Sequence, residues 1–405
     1  MPLSLRLPLR RLAFGAALST SLLLASCGGG GGGGDEAAPS SGLAPSATLA
    51  GVCTPEGEKK FIRSYLDEVY LWYDEIPAVD PAQHSTVRSY FEALLVRTPD
   101  ATGQPRDRFS AVLTTSGADA LQSAALPITG SPTDSVPLAK LVTSPAGRKV
   151  GYLLFNDHDT GAQDALIAAF EGLRDAAVQD LVLDLRYNSG GFLYVARTAA
   201  SMITGPQSEG RVFEQLRYNN KRQAESAAST FLFSSWLQSA ERNYPAGTVL
   251  PQLALPRLYV LASGLTCSAS ESIVNSLRGI DVEVILVGET TCGKPYGFRR
   301  KDNCGQAFFP IEFQGYNARN FGDFTTGFTP TCAVTDTFLS PLGAPEEPLL
   351  AAALQHADTG ACPAPAAAAP AKDLLARDLL APRRAGAPAG GRSPWDGKLL
   401  GPGRP

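Results

Sequence analysis

The chain has 405 residues, of which 44% are hydrophobic and 18% charged, with a formal net charge of −4. That balance excludes a fully solvated low-complexity chain, and without a basic stripe there is no electrostatic footprint for nucleic acid. With only three histidines, a Ser/His/Asp triad or a histidine-rich metal centre has few residues to draw on.

Taken in chain order, Arg6, Arg10 and Arg11 precede an apolar run from Leu12 to Leu24. This run is too short to span a bilayer and is patterned as the h-region of a signal peptide. It ends in Leu24-Ala25-Ser26-Cys27, a string similar to a bacterial lipobox, so residues 1–27 read as a lipoprotein signal with Cys27 as the lipidated residue. An ordinary signal peptide carrying a chance cysteine is the competing reading. Residues 28–50, seven glycines followed by a Ser/Ala/Pro-rich run, read as a tether with a reach on the order of 25 Å. The expected location is the periplasm or cell surface, with a membrane as partner through the lipid.

Residues 56 to 76 place Ile62, Tyr65, Leu66, Val69, Trp72, Tyr73 and Ile76 on one helical face, and His84 to Arg97 continue the pattern. Residues 51–115 are therefore expected to form a small helical cap. From Thr98 to Gly147 only Phe109 to Leu113 and Val136 to Val142 look like strands, and 116–147 read as a connector. Order returns at Val150. Strands are expected over 150–156, 181–186, 258–262 and 284–287, with helices over 163–178 and from about Ser268, a rhythm that implies a layered α/β domain over 148–362. Residues 205–257 read as a polar surface excursion, and 363–405, rich in Ala, Pro and Gly, as a disordered tail.

Setting Cys27 aside, six cysteines remain: Cys53, Cys267, Cys292, Cys304, Cys332 and Cys362. In an exported chain an even count permits disulfides. Cys292 and Cys304 are the first expected pair, because the segments between them read as a hairpin. No CxxC occurs and the histidines are scattered, so neither a metal nor a cofactor is expected.

The chemistry-bearing residues sit where strands hand over to helices. Asn188-Ser-Gly-Gly191 follows a strand end, and its glycines permit a backbone twist that turns N–H groups outward as an oxyanion hole; a plain tight turn is the alternative. Ser268-Ala-Ser-Glu271 fits a capping box, yet a serine at a helix start also lies at the positive end of the dipole, where Ala269 N–H can hold an oxyanion. Lys294 follows 26 residues later. To serve Ser268 as a base it must be uncharged, which calls for an apolar wall such as Tyr296 and Phe298.

Three segments, Leu183-Asp-Leu-Arg-Tyr-Asn-Ser-Gly-Gly191, Thr266-Cys-Ser-Ala-Ser-Glu271 and Val287-Gly-Glu-Thr-Thr-Cys-Gly-Lys294, together resemble the tail-specific (C-terminal processing) serine peptidases. Tyr70 to Pro77 and Asp107-Arg-Phe-Ser110 look like the helical cap of the bacterial lipoprotein branch of that family. The resemblance implies a crotonase-like (ClpP-like) ββα spiral catalytic domain and protein or peptide substrates. It implies Ser268 as nucleophile, Lys294 as general base, and Gly190, Gly191 and Ala269 as the oxyanion hole. Two departures stand out. Phe298 occupies the place of a lysine-orienting glutamine, and Gly279 and Asp281 stand where other members place an aspartate, so no third catalytic member is assigned. The 21 residues from Ser116 to Val136 are fewer than the roughly 50 that an independent domain needs, so the family's PDZ module is expected to be missing.

Alternatives of other classes stay open on the sequence: a catalytically silent lipid-anchored binding protein, a Ser/His variant using His158, and Cys267 as nucleophile. Cys267 more simply supplies an apolar or disulfide-bonded neighbour.

Overall fold

The computed structural model describes residues 42–100, 103–123, 135–364 and 398–399. Cys27 with its signal, most of the expected tether, the middle of the connector and most of the Ala/Pro/Gly-rich tail lie outside the described residues.

The chain enters through α1 (Ser46–Leu49), inside the stretch expected to be tether, and α2 (Pro55–Val69). The second helix starts cleanly because Thr54 accepts from Gly57 N–H and proline occupies its first turn. It stops at Val69, short of Ile76. Leu71 N–H bonds to Ile311 O and Tyr70 hands its hydroxyl to Asp107, so tertiary bonds pull the chain out of the helix. Next come α3 (Val87–Leu94), β1 (Ala111–Thr114) and α4 (Thr115–Ser123). Fully buried Asp107 organises the Asp-Arg-Phe-Ser turn by accepting from Phe109 N–H, Ser110 N–H and Tyr70 OH. Ser110 Oγ then accepts from Ile311 N–H, which stitches the cap to the rest of the chain.

The central layer is built from β2 (Leu138–Thr143), β3 (Lys149–Leu154), α5 (Ala162–Asp175), β4 (Asp180–Asp184), β5 (Gly191–Phe192) and α6 (Leu193–Ile203). After an intervening segment containing β6 (Val212–Tyr218), α7 (Gln223–Ala228) and β7 (Thr230–Leu232), it resumes with β8 (Arg257–Ala262), α8 (Ala269–Gly279) and β9 (Glu283–Gly288). Then follow β10 (Tyr296–Phe298), β11 (Lys301–Asn303), β12 (Gln306–Phe309), β13 (Phe313–Tyr316), β14 (Cys332–Ala333), α9 (Pro348–Thr359) and β15 (Lys398–Leu399). One six-stranded sheet has the order β14-β9-β8-β4-β3-β2, with β2 antiparallel at its edge and every other pairing parallel. A second sheet runs β5-β15-β10-β13-β6-β7, and a third β1-β12-β11.

This topology corrects two expectations. The crotonase-like (ClpP-like) ββα spiral is not formed. Helices α5 and α8 each link two neighbouring parallel strands of one sheet, β3-α5-β4 and β8-α8-β9, which is the wiring of a parallel α/β layer. Apart from β2–β3, the antiparallel pairs lie in the other two sheets, giving mixed sheets with dispersed helices. Nor is 205–257 a surface excursion: Phe213, Leu216, Phe231, Phe233 and Leu237 are buried in the core, and β6 joins the second sheet.

The strand end that leads to the site is anchored by charge. Arg186, about 1% exposed, reaches Asp184 at 2.9 Å, Asp336 at 2.7 Å and Glu347 at 2.8 Å, while Tyr152 OH donates to Asp184 at 2.7 Å. Glu347 also caps α9 by accepting from Leu350 N–H. Every member of this buried cluster has partners, as burial of charge demands.

The expected Cys292–Cys304 bridge is not the one formed. The structure pairs Cys53 with Cys304, Cys267 with Cys292, and Cys332 with Cys362. A hairpin does exist, but it is β11–β12 with Cys304 in its turn, and it projects to the cap, where Gly51 N–H bonds to Asn303 Oδ1. Cys292 stays behind beside the start of α8.

Candidate active site

Three loops converge at the carboxyl ends of parallel strands β4, β8 and β9, the place where open α/β sheets gather their chemistry. The loop after β8 is tied to the turn after β4. Thr266 Oγ1 donates to Leu185 O at 2.8 Å, and both Cys267 N–H (3.1 Å) and Ser270 Oγ (3.0 Å) donate to Asn188 O. The loop after β9 is tied to the loop after β8 by Cys292 N–H to Thr266 O at 3.0 Å and by the Cys267–Cys292 disulfide, whose Cα atoms are 5.2 Å apart.

Ser268 stands at the start of α8 with φ 57° and ψ −109°, a conformation that L-residues with a side chain rarely adopt. It is fully buried, and its Oγ has no hydrogen-bond partner among the described residues. The capping reading therefore accounts for Glu271 but not for the hydroxyl. An orphaned buried hydroxyl costs on the order of 1–3 kcal/mol, and the strained backbone adds to that cost.

Glu271, which the sequence offered only as a capping residue, has a larger role. Its Oε2 accepts from Ser268 N–H at 2.8 Å and from Lys294 N–H at 2.9 Å; its Oε1 accepts from Thr291 Oγ1 at 2.6 Å and Gly293 N–H at 2.9 Å. One carboxylate oxygen thus clasps the main chain at both Ser268 and Lys294. Burial pushes the Glu271 carboxyl above its usual range, and the donors around it act in the opposite direction. Gly293, at φ 82°, is needed for this turn, because a Cβ there would lie 2.3 Å from Thr325 O.

Lys294 is 1% exposed. Its Nζ lies 4.7 Å from the centre of the Phe298 ring and 4.9 Å from that of Phe109. Of the two wall residues expected from sequence, Phe298 is in place, whereas Tyr296 packs edge-on against Trp72 at 5.0 Å. Phe109 was not foreseen as a wall; it arrives from the cap, so the cap completes the lysine's surroundings.

The double-glycine turn lies between Ser268 and His158. A Cβ on Gly190 (φ 104°) would sit 2.9 Å from Ala269 N and 3.0 Å from Ser268 Cβ, and one on Gly191 (φ 132°) 2.8 Å from His158 O. Absence of a side chain is what permits the close approach. Gly190 N–H is already taken by Asn188 Oδ1 at 3.0 Å, so this N–H, one of the donors expected from sequence, is committed within the turn. His158 pairs through its main chain with the groups of residues 190 and 192, which turns those of Gly191 to the opposite edge. Ala269, as the first residue of α8, carries one of the N–H groups a helix start leaves without an intrahelical acceptor.

His158 supports this turn. Asn188 Nδ2 donates to Phe155 O, so Asn188 Oδ1 is the acceptor that takes both Gly190 N–H and His158 Nδ1–H, the latter at 2.9 Å. The imidazole is then the Nδ1–H tautomer, and complete burial pushes its pKa down to about 3. Asp281, to which the sequence assigns no catalytic part, is exposed and engages Arg319 and Arg211. Cys267 is closed in a disulfide, which removes it as a nucleophile and, with Cys292, as a metal ligand.

The family model described as "Peptidase family S41" matches residues 149–334, and that described as "Peptidase S41 N-terminal domain" matches 57–111. Among solved structures, a candidate S41 protease from Bacteroides fragilis is similar to this chain at 19% identity over 74% of this chain and 97% of that one, with a TM-score of 0.60. A photosystem II D1 C-terminal processing protease (15% identity, 69% and 92% coverage, TM-score 0.44) and a lipoprotein from Streptococcus agalactiae (14%, 69% and 92%, 0.45) are similar to a lesser degree. No curated protein matches the chain. The first of these structures shows an S41-type peptidase fold, in place of the spiral the sequence suggested. The two matched regions together take in both the cap and the layer that carries Ser268 and Lys294, and the chain belongs to peptidase family S41, the tail-specific serine peptidases.

Proposed function

We propose that this serine-type peptidase cleaves peptide bonds through Ser268 as nucleophile and Lys294 as general base. The observation that carries the reading is the Glu271 carboxylate holding both segments by one oxygen, beside a buried Ser268 Oγ with no hydrogen-bond partner among the described residues. In the reaction Lys294 Nζ takes the Ser268 proton as Oγ attacks the scissile carbonyl carbon. Gly191 N–H and Ala269 N–H hold the oxyanion, and the protonated lysine delivers its proton to the departing amine. Water activated by Lys294 then hydrolyses the acyl-enzyme. The role requires an uncharged amine, and the Phe109 and Phe298 rings keep water from Nζ. His158 is read as the support of the oxyanion turn, since its one proton is committed to Asn188.

The substrates are taken to be exported proteins, and the chain itself to be exported and held at a membrane by a lipid on Cys27. Three disulfides among the described residues support an oxidising compartment. Both Ser268→Ala and Lys294→Ala are expected to abolish hydrolysis of an unfolded protein substrate with the circular-dichroism spectrum unchanged. Undiminished digestion by purified Ser268→Ala protein overturns the assignment and leaves a peptide-binding scaffold as the better account.

A further inference from the structure

The second sheet has an unusual member at its most consequential position. Strand β5 begins at Gly191, the oxyanion turn, and β10 begins two residues after Lys294, yet these two strands do not pair with each other. Between them lies β15, contributed by a segment far downstream in the chain. Lys398 is in register with Gly191 on one side and Gly297 on the other, and Leu399 with Phe192 and Phe298, all in parallel. Without β15, the sheet would keep a slot one strand wide, about 10 Å from β5 to β10 at the usual strand spacing. That slot is bounded by the strands leading out of the two proposed catalytic motifs.

We propose that this slot is the substrate groove, that it takes an extended, unfolded peptide as an added β-strand, and that Lys398-Leu399 is its occupant in cis, competing with substrate. The inference rests on the Ser268/Lys294 reading for the word substrate, but the groove and its occupant are defined by pairing alone. Both edges of the slot offer main-chain donors and acceptors, so recognition is through the backbone and tolerates varied sequence, as in other strand-addition sites. Gly191 makes this coupling direct. With the groups of residues 190 and 192 paired to His158, those of Gly191 face β15, so the strand in the slot meets the residue proposed to hold the oxyanion. Phe192 on one edge and Phe298 on the other are buried aromatic residues, which favours apolar side chains in a bound peptide. Because it belongs to the same chain, the Lys398-Leu399 segment meets the slot at an effective concentration on the order of millimolar. Even a weak strand therefore keeps the groove filled until a better peptide displaces it.

The test uses the full chain. Proline at a strand position removes the ladder donor, so Lys398→Pro combined with Leu399→Pro empties the groove without touching the described core. The KM for an unfolded-peptide substrate is expected to fall at least about fivefold with kcat unchanged. In a Ser268→Ala background, where no turnover is needed, a fluorescent synthetic peptide spanning Pro394 to Gly403 is expected to bind the double-proline chain at least about fivefold tighter than the chain with its own segment intact. Equal probe affinity in the two Ser268→Ala proteins overturns the proposal, whatever the activity. Tighter probe binding to the double-proline chain alongside a catalytically inert parent keeps the groove and refutes the dyad instead.

Discussion

Two buried polar clusters meet at the turn after β4, one through Arg186 and the other through Asn188, and they are built on opposite terms. Around Arg186 every charge is answered: three carboxylates surround one guanidinium, and Tyr152 and Leu350 N–H take further carboxylate oxygens. Around Ser268 two polar atoms are left wanting: Ser268 Oγ and His158 Nε2 are buried without hydrogen-bond partners among the described residues, and Ser268 is held at a positive φ. The first cluster fixes the turn; the second, mounted on that turn, keeps a hydroxyl available. Strain and unmet hydrogen bonds persist only where the surroundings over-determine them, and here Glu271, the Cys267–Cys292 bridge and the bonds to Asn188 O supply that constraint.

The comparison breaks first if the Arg186 cluster is not what holds the turn. Arg186→Met leaves Asp184, Asp336 and Glu347 facing one another in a dry interior, and burial alone already pushes the Asp184 carboxyl up. Loss of one partner from such a cluster costs about 3–5 kcal/mol, enough to lower the urea midpoint severely. An unchanged midpoint would show that the carboxylates find other partners.

A smaller effect comes from the second cluster. His158 is neutral in the folded protein, with its pKa held near 3, and burial is the main cause. The unfolded chain protonates this imidazole below its ordinary pKa of about 6.5, while the folded chain does not until pH falls to about 3. Stability is therefore lost as pH falls through 6.5, by up to about 1.4 kcal/mol per pH unit. Denaturant titrations of the parent and His158→Gln from pH 7 to 5 isolate this slope, since titrating carboxylates contribute to both proteins. Parallel pH profiles would mean the imidazole is not buried in its neutral form.

The smallest effect runs the other way. Ser268→Gly removes both the strained side chain and the unpaired hydroxyl, so the variant should gain about 1 kcal/mol of stability while losing all peptidase activity. Calorimetry that finds it less stable than the parent would mean Ser268 contributes packing that its orphaned Oγ conceals.

The same contrast explains what the sequence could and could not tell. Strands of the central sheet were legible at 150–156, 181–186, 258–262 and 284–287 because parallel strands covered on both faces read as unbroken apolar runs. Strand β6 was not. Glu214, Gln215 and Arg217 make it look solvated, although Phe213, Leu216 and even Glu214 are buried. The motifs proposed to be catalytic were visible as Ser268, Lys294 and the Gly190-Gly191 turn, but the group that clasps the first two was hidden. Glu271 satisfies a local capping rule, and nothing in the chain N-terminal to Lys294 announces that the same carboxylate reaches 23 residues ahead. Disulfide pairing failed for a related reason: Cys53 and Cys304 are separated by 251 residues, and no hairpin logic predicts such a meeting. Local chemistry is written locally, while contacts that close over long stretches of chain depend on the topology.

The central claim is that a Lys294 amine activates the Ser268 hydroxyl, and covalent labelling reads this step alone. Intact protein treated with a serine-directed fluorophosphonate, digested and mapped by mass spectrometry, should carry the adduct on Ser268, and folded Lys294→Met protein should carry none. Equal labelling of Ser268 in the Lys294→Met chain, or an adduct on another residue in the parent, would contradict it.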